Sequence, residues 1–462
     1  MKNARMADVV VVGAGLAGLA SARRLSRDGR DVIVLEARDR VGGRTLNRSI
    51  GDGKIVDIGG QFVGPGQDRI LGLIRELGLE TFPVCSRGQH LFEHRGCVRR
   101  FRRMPLAPSP GLAEGALALA VLDVMSRSVS AESPWSARKA NRWDSMTVDS
   151  WMRRTVRSGA GREVVAMLCQ AVWAADPGEV SLLHLLAYVR AAGGMYRLLG
   201  TDGGAQERRV VGGSHRISLA MAADLGERVV LGTPVRRIEQ TETAVTVESD
   251  AVQVRARQVI VAMNPALAGR LVYSPSLPAD RDQLTQRTPN GEVIKCFAIY
   301  NTPFWRAAGL SGRAAGTTGP VKVVFDNSPP DGDPGVLLAF LEGGDARRMA
   351  RLSAAMRRDT VLTALTRYFG RAAAHPRDYI EQNWSGEEWT RGCYGAFFPP
   401  NTWTSYGSAL RAPVGRVHWA GAEYATAWMG YMDGAVRSGE LVAGEVIERL
   451  SAEGSTMGTF VS

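Results

Sequence analysis

Gly13, Gly15, Gly18 and Glu36 have the residue types and intervals to hold a dinucleotide. Gly13 permits a tight turn, Gly15 lets a pyrophosphate come against the backbone, and Gly18 allows a helix to lie close on a strand. The helix that follows would turn unpaired N–H groups toward the phosphates. Glu36 falls where an acid accepts the hydroxyls of an adenosine ribose. A second residue with chemical potential is Lys295. The lysines are only Lys2, Lys54, Lys139, Lys295 and Lys322, and Lys295 follows Val293-Ile294 on what reads as a buried strand. An ammonium there is costly unless it has a role or a partner; Glu292 and Glu342 are the candidate partners.

The elements that would position the glycines are legible around them. Val9 to Val12 is an unbroken β-branched run, as in a parallel strand buried on both faces. Leu19 to Leu25 has apolar residues at helical spacing, Asp28-Gly29 ends that helix, and Asp31 to Glu36 returns as a second strand. Just beyond, Gly42-Gly43-Arg44 resembles the extended fingerprint of flavoproteins more than that of nicotinamide dehydrogenases, with Arg44 a fixed charge near the pyrophosphate. FAD is therefore the favoured dinucleotide. The Gly59-Gly60-Gln61 turn permits close backbone approach to a flavin, or simply ends a strand.

Composition removes several other functions. The 462 residues carry a formal charge of +11 and are 45% hydrophobic, which describes a globular chain of more than one core. The positive charge is mostly arginine scattered among acids, so nucleic-acid binding is not expected. The densest patch, Arg95 to Arg103, reads as a solvated face. Five cysteines, Cys85, Cys97, Cys169, Cys296 and Cys393, show no CxxC spacing and suggest neither a disulfide framework nor a zinc site. His90-Leu91-Phe92-Glu93-His94 spells an inverted zincin pattern, but it reads as one arm of a hairpin, where residues four apart lie about 13 Å from each other. Ser214 lacks the closing glycine of a nucleophile elbow. No leader or membrane-spanning run is apparent, and a soluble, cytoplasmic protein without bound metal is expected.

The chain reads as an α/β protein in which a Rossmann-like dinucleotide domain is interleaved with an α+β substrate domain. The expected dinucleotide segments are residues 1–84, 205–274 and 384–452; the substrate segments are 85–204 and 275–383, and 453–462 is a flexible tail. Helices are expected over Gly111 to Met125, Val148 to Arg157, Arg162 to Ala174, Val180 to Arg190, Ile217 to Leu225 and Leu352 to Phe369. Strands are expected over Thr233 to Glu239, a hairpin over Val245 to Val254, a separate buried strand at Gln258 to Ala262, and further strands at Ile294 to Tyr300, Val321 to Phe325, Val336 to Leu341 and Arg416 to Trp419.

Three late stretches, read with the fingerprint, resemble the flavin-containing monoamine oxidases. They are Gly291-Glu292-Val293-Ile294-Lys295-Cys296; Asn383-Trp384 followed by Gly392-Cys393-Tyr394-Gly395-Ala396-Phe397-Phe398-Pro399-Pro400; and Ala420-Gly421-Ala422-Glu423 followed by Trp428-Met429-Gly430-Tyr431-Met432-Asp433-Gly434-Ala435. The resemblance implies FAD, bonded through the sulfur of Cys393 to the flavin 8α carbon. It implies that Tyr394 and Tyr431 flank the substrate amine and that Lys295 reaches flavin N5 through a water and assists reoxidation by oxygen. Arg38, Val235 and Glu423 match FAD contacts, Trp384 a tryptophan near the flavin, and Tyr431-Met432 the start of a helix aimed at the flavin ring. Leu199 and Gln206 match an entrance gate and a pocket glutamine, and Ala171 and Trp173 stand where the family's pocket lining varies. The implied activity is oxidation of a small amine by hydride transfer to flavin, with O2 as acceptor and H2O2 as product. Diamine or polyamine oxidase, L-amino-acid oxidase and biosynthetic tailoring oxidase are the enzyme alternatives, and a flavin-bearing binding protein is the non-enzyme one. A homodimer is compatible with the sequence, which does not specify an oligomeric state.

Overall fold

The four valines Val9 to Val12 are each at most 4% exposed. They end a strand, Asn3–Val12, that begins earlier than the apolar run alone suggests. Around it the computed structural model, which describes residues 3–102 and 109–458, forms an eight-stranded sheet. Met1, Lys2, Arg103 of the basic patch and residues 459–462 of the expected tail lie outside the described residues. Val32–Leu35 pairs parallel to Asn3–Val12 on one edge and Val252–Val261 on the other. The second of these neighbours merges two expected elements. The end of the hairpin and the buried strand are one continuous run, antiparallel to Val245–Ser249 along its first half and parallel to Val417–Trp419 along its last residues.

The helix Leu16–Arg27 starts directly from the glycine turn, and no side chain caps its Gly15 end. A Cβ at Gly18 would stand 1.9 Å from the carbonyl oxygen of Gly13. Only glycine allows that helix-to-strand approach, and overpacking against backbone costs about 1–3 kcal/mol or more. Gly18→Ala is therefore expected to lower both the melting temperature and the bound flavin per protein. A variant matching wild type in thermal denaturation and in flavin-to-protein absorbance would show that the turn has room.

A second, seven-stranded sheet runs in the order Asp378–Asn383, Val293–Tyr300, Gly335–Glu342, Val321–Asp326, Leu310–Gly316, Gln89–His94, Cys97–Phe101. Its second and third strands, Val293–Tyr300 and Gly335–Glu342, are buried along their whole length, and their antiparallel register sets Lys295 opposite Phe340 and Val293 opposite Glu342. The hairpin arm holds His90 and His94 apart, bonded to the Ser311 hydroxyl at 2.7 Å and the Thr317 hydroxyl at 3.0 Å.

Helices Pro110–Ser126, Gly159–Trp173 and Leu182–Ala191 share an apolar core with Phe398 and Trp403. The expected helix from Leu352 starts at Ala354 and runs to Phe369, with Ser353 capping it through its bond from the Met356 amide; a separate short helix, Gly343–Ala350, precedes it. The closing helix, Met432–Gly458, continues past residue 453, where the sequence suggests a tail. Among the described residues no helix is long and apolar enough to cross a membrane. The architecture is α/β, a Rossmann-like unit interleaved with an α+β unit, and the seam between them is a cavity.

Candidate active site

The cavity has a volume of about 1390 Å³, more than an ordinary small-molecule site of roughly 300–1,000 Å³ needs. Its first part is the expected groove. Gly13, Gly15, Glu36, Arg38, Gly43, Arg44 and Val235 line it. The Glu36 carboxylate is fixed by the amides of Ala14 at 2.7 Å and Arg38 at 3.0 Å, so it faces the groove as a preset acceptor. Arg38 pairs with Glu387 and also bonds the Thr390 hydroxyl at 2.6 Å.

Arg44 is held by Glu423 through two bonds, 2.5 and 3.0 Å, and donates to the Tyr394 carbonyl at 2.9 Å. Burial works against both charges, and each partner more than offsets it for the other, so the guanidinium pKa is raised and the Glu423 pKa lowered. The pair is a fixed cation on the cavity wall with its counter-charge behind it.

Farther in, the second sheet meets the groove. The Lys295 ammonium donates to the carbonyls of Asp57 at 2.6 Å and Gly59 at 2.8 Å and to Oε1 of Gln61 at 2.8 Å. Neither acid considered from the sequence touches it: Glu292 lies near Arg347, and Glu342 bonds a tyrosine. Burial drives the Lys295 pKa down to about 7, Asp57 opposing the shift and Arg209 adding to it. Three dipolar acceptors hold the amine without a carboxylate in contact, which leaves it able to carry or release its proton near neutrality.

Trp384 lines the same cavity, its indole N–H donating to the Ile58 carbonyl at 2.8 Å. The loop after it is pinned at both ends: the Cys393 amide donates to Gly291 O at 2.9 Å, and the Gly291 amide to Gly395 O at 3.1 Å. Gly392 has a φ of +131°, and a Cβ there would stand 2.5 Å from Gly291 O, so the turn that presents Cys393 requires glycine. The Cys393 thiol is pushed up to about 12 by desolvation, with Arg44 pulling the other way. Tyr394 and Tyr431 line the same chamber. The Tyr394 hydroxyl donates to Oε1 of Glu342 at 2.7 Å, and Tyr431 packs edge-on against Trp428 at 5.2 Å and lies 6.2 Å from Tyr188. Burial raises the pKa of both phenols and keeps them neutral.

Gly60, Gln61, Ala171, Leu199, Gln206, Lys295, Trp384, Cys393, Tyr394, Tyr431 and Met432 all line the one cavity. Three expected residues do not. Gly18 lies under the Gly13 carbonyl as a packing glycine. Glu423 holds Arg44 from behind. Trp173 packs edge-on against Tyr188 at 5.1 Å, off the cavity wall, while its neighbour Val172 takes the wall position. Sequence reading also missed Glu342 as a wall residue, although an acid that ends the wholly apolar run Val336 to Leu341 was a signal of it.

The residues fit FAD. At Gly15 no atom lies within 4 Å of where a Cβ would be, an open cradle for a pyrophosphate, and the uncapped helix start adjoins it. A phosphate groove that opens into an aromatic chamber is the architecture of a dinucleotide-dependent oxidoreductase. A family model for flavin containing amine oxidoreductases matches residues 16–447. Flavin-containing amine oxidase B of Cavia porcellus is 39% identical over 449 residues, 96% of this chain and 86% of that one. The solved structure of wild-type putrescine oxidase bound to putrescine superposes with a TM-score of 0.93 at 35% identity, covering 96% and 100% of the two chains. Cyclohexylamine oxidase from Brevibacterium oxydans IH-35A gives a TM-score of 0.93 at 36% identity over 96% and 99%. The chain belongs to the flavin-containing amine oxidoreductases.

Proposed function

We propose that this enzyme oxidises a small amine to its imine, which water hydrolyses to an aldehyde, and returns to its resting state with O2 as acceptor and H2O2 as product. One observation carries the reading: Lys295, Cys393, Tyr394 and Tyr431 line a single chamber continuous with the dinucleotide groove. Bound FAD would accept the hydride, which carries both electrons, that leaves the amine α-carbon.

The protein's own part is position and electrostatics. The neutral phenol rings of Tyr394 and Tyr431 receive the amine, whose approach their electron-rich faces favour. Glu36, Arg44 and the start of the Leu16–Arg27 helix hold the dinucleotide. Lys295 keeps a titratable ammonium at the chamber wall, and Cys393 is the attachment point for a covalent flavin. The cysteine pattern supports a reducing, cytoplasmic setting.

A second reading, an amino-acid oxidase, is favoured by Arg313, which lines the cavity with its guanidinium 5.9 Å from the Phe325 ring and no carboxylate within ion-pair distance among the described residues. Anaerobic mixing of the flavin-loaded enzyme with a panel of monoamines, diamines and L-amino acids decides. Bleaching of the yellow absorbance by an amine is the expected result. Bleaching by amino acids alone would select the second reading, and no bleaching by any member would leave a flavin-bearing binding protein.

A further inference from the structure

Of the four acids that line the cavity among the described residues, Glu36, Asp202, Glu342 and Glu388, Glu342 is the one whose carboxylate bonds a tyrosine of the chamber. It ends the buried strand Gly335–Glu342 and is 4% exposed. Oε1 accepts the Tyr394 hydroxyl at 2.7 Å, whereas Oε2 has no hydrogen-bond partner among the described residues. No cation stands within ion-pair distance of it either. The nearest lysine by charge, Lys322, is bound to Asp345 at 2.8 Å and to Gln170 at 2.6 Å. Burial pushes the Glu342 carboxyl up to about 8, against the pull of Tyr394 and Lys322.

A carboxyl buried without a counter-ion is unfavourable by several kcal/mol in its charged form. A cation brought in by a ligand would remove that penalty and would itself gain a charge-assisted bond, because the open oxygen needs a donor. The rings of Tyr394 and Phe340, 6.2 Å apart, offer aromatic surface beside it that tolerates an ammonium.

Resting on the amine-oxidase reading of this cavity, we propose that Glu342 is a specificity-determining residue that binds a second ammonium group, so that short diamines are preferred over monoamines of the same length. A role confined to orienting Tyr394 predicts something different. Glutamine at 342 would still accept the phenol hydrogen bond, so Glu342→Gln would then leave both kinds of substrate alone.

The test uses the flavin-loaded enzyme with butylamine and its α,ω-diamine counterpart, diaminobutane. Wild type is expected to favour the diamine in kcat/KM by at least about ten-fold, within the cost of truncating one partner of a buried charge pair. Glu342→Gln, which keeps an acceptor for Tyr394, should lower the diamine-to-monoamine ratio of kcat/KM by about that factor, through KM for the diamine; Glu342→Leu should lower the ratio equally, on top of the loss for both substrates that the unpartnered Tyr394 hydroxyl brings. Thermal stabilisation by diaminobutane should fall in parallel, and it reads binding even in a variant with poor turnover. An unchanged diamine-to-monoamine ratio in both variants, or an equal loss for both substrates, would overturn the proposal. If wild type is bleached by butylamine and the ratio does not move, Glu342 alone is misassigned; if no amine bleaches the flavin, the amine-oxidase reading itself fails.

Discussion

Lys295→Met is expected to slow reoxidation of the reduced enzyme by O2 by about 100-fold while leaving its reduction by amine within a few-fold of wild type. The size follows from losing one preset charged or polar donor in a water-poor site, roughly 10²–10³ in rate. Met keeps the length and apolar stem of the lysine but removes the ammonium that Asp57 O, Gly59 O and Gln61 Oε1 surround. Stopped-flow mixing of the amine-reduced enzyme with oxygenated buffer measures the step, and equal rates in variant and wild type would remove the lysine from it. A second readout needs no turnover. The Lys295 pKa in the fold, about 7, lies below its unfolded value, so between roughly pH 7 and 10 the unfolded chain binds the extra proton. Stability of the cofactor-free protein should therefore rise with pH across that window, by up to about 1.4 kcal/mol per pH unit for one proton, and be lost again toward pH 7. Lys295→Met should remove this component of the slope in urea melts at pH 7, 8 and 9.

The groove was more legible in the sequence than the chamber, for a physical reason. Gly13, Gly15 and Gly18 act through local backbone geometry, so their spacing carries their function, and Glu36 lies at a fixed distance down the next strand. Lys295, Cys393-Tyr394 and Tyr431 come from three segments far apart in the chain; the scarcity of lysine on a buried strand marked Lys295, whereas Cys393, Tyr394 and Tyr431 rest on family resemblance. Glu342 escaped because its meaning lies in a contact with Tyr394 across two elements. The strand Leu310–Gly316 escaped because Ser311, Gly312 and Ala314 carry no strand preference; it exists through pairing with Gln89–His94 and Val321–Asp326. The continuous Val252–Val261 strand was divided because Gln253, Arg255 and Arg257 alternate with buried Val252, Val254 and Ala256 along its first half, with one face toward solvent, whereas Gln258 to Val261 is buried throughout.

Acid-precipitated wild-type protein should stay yellow, with nearly all of its flavin in the pellet, and Cys393→Ser should release nearly all of it to the supernatant. Of the five cysteines only Cys393 lines the cavity. Cys169 and Cys296 are buried in the helical core and the second sheet, and desolvation pushes their thiols up. The same desolvation acts on Cys393, where Glu423 and Glu387 add to it and Arg44 and Lys295, two cations on the cavity wall, oppose it. A thiolate is the nucleophile in sulfur chemistry, so attachment would depend on those charges as well as on the sulfur. Arg44→Gln should then slow the appearance of acid-stable flavin when the cofactor-free protein is mixed with FAD, even where FAD is present in excess of its binding constant. Mass spectrometry of the peptide containing Cys393 would show the added flavin mass in wild type and none in the serine variant. A colourless wild-type pellet with free FAD above it would mean that the sulfur stands beside the cofactor without bonding to it, and the cavity would then hold its flavin by the groove contacts alone.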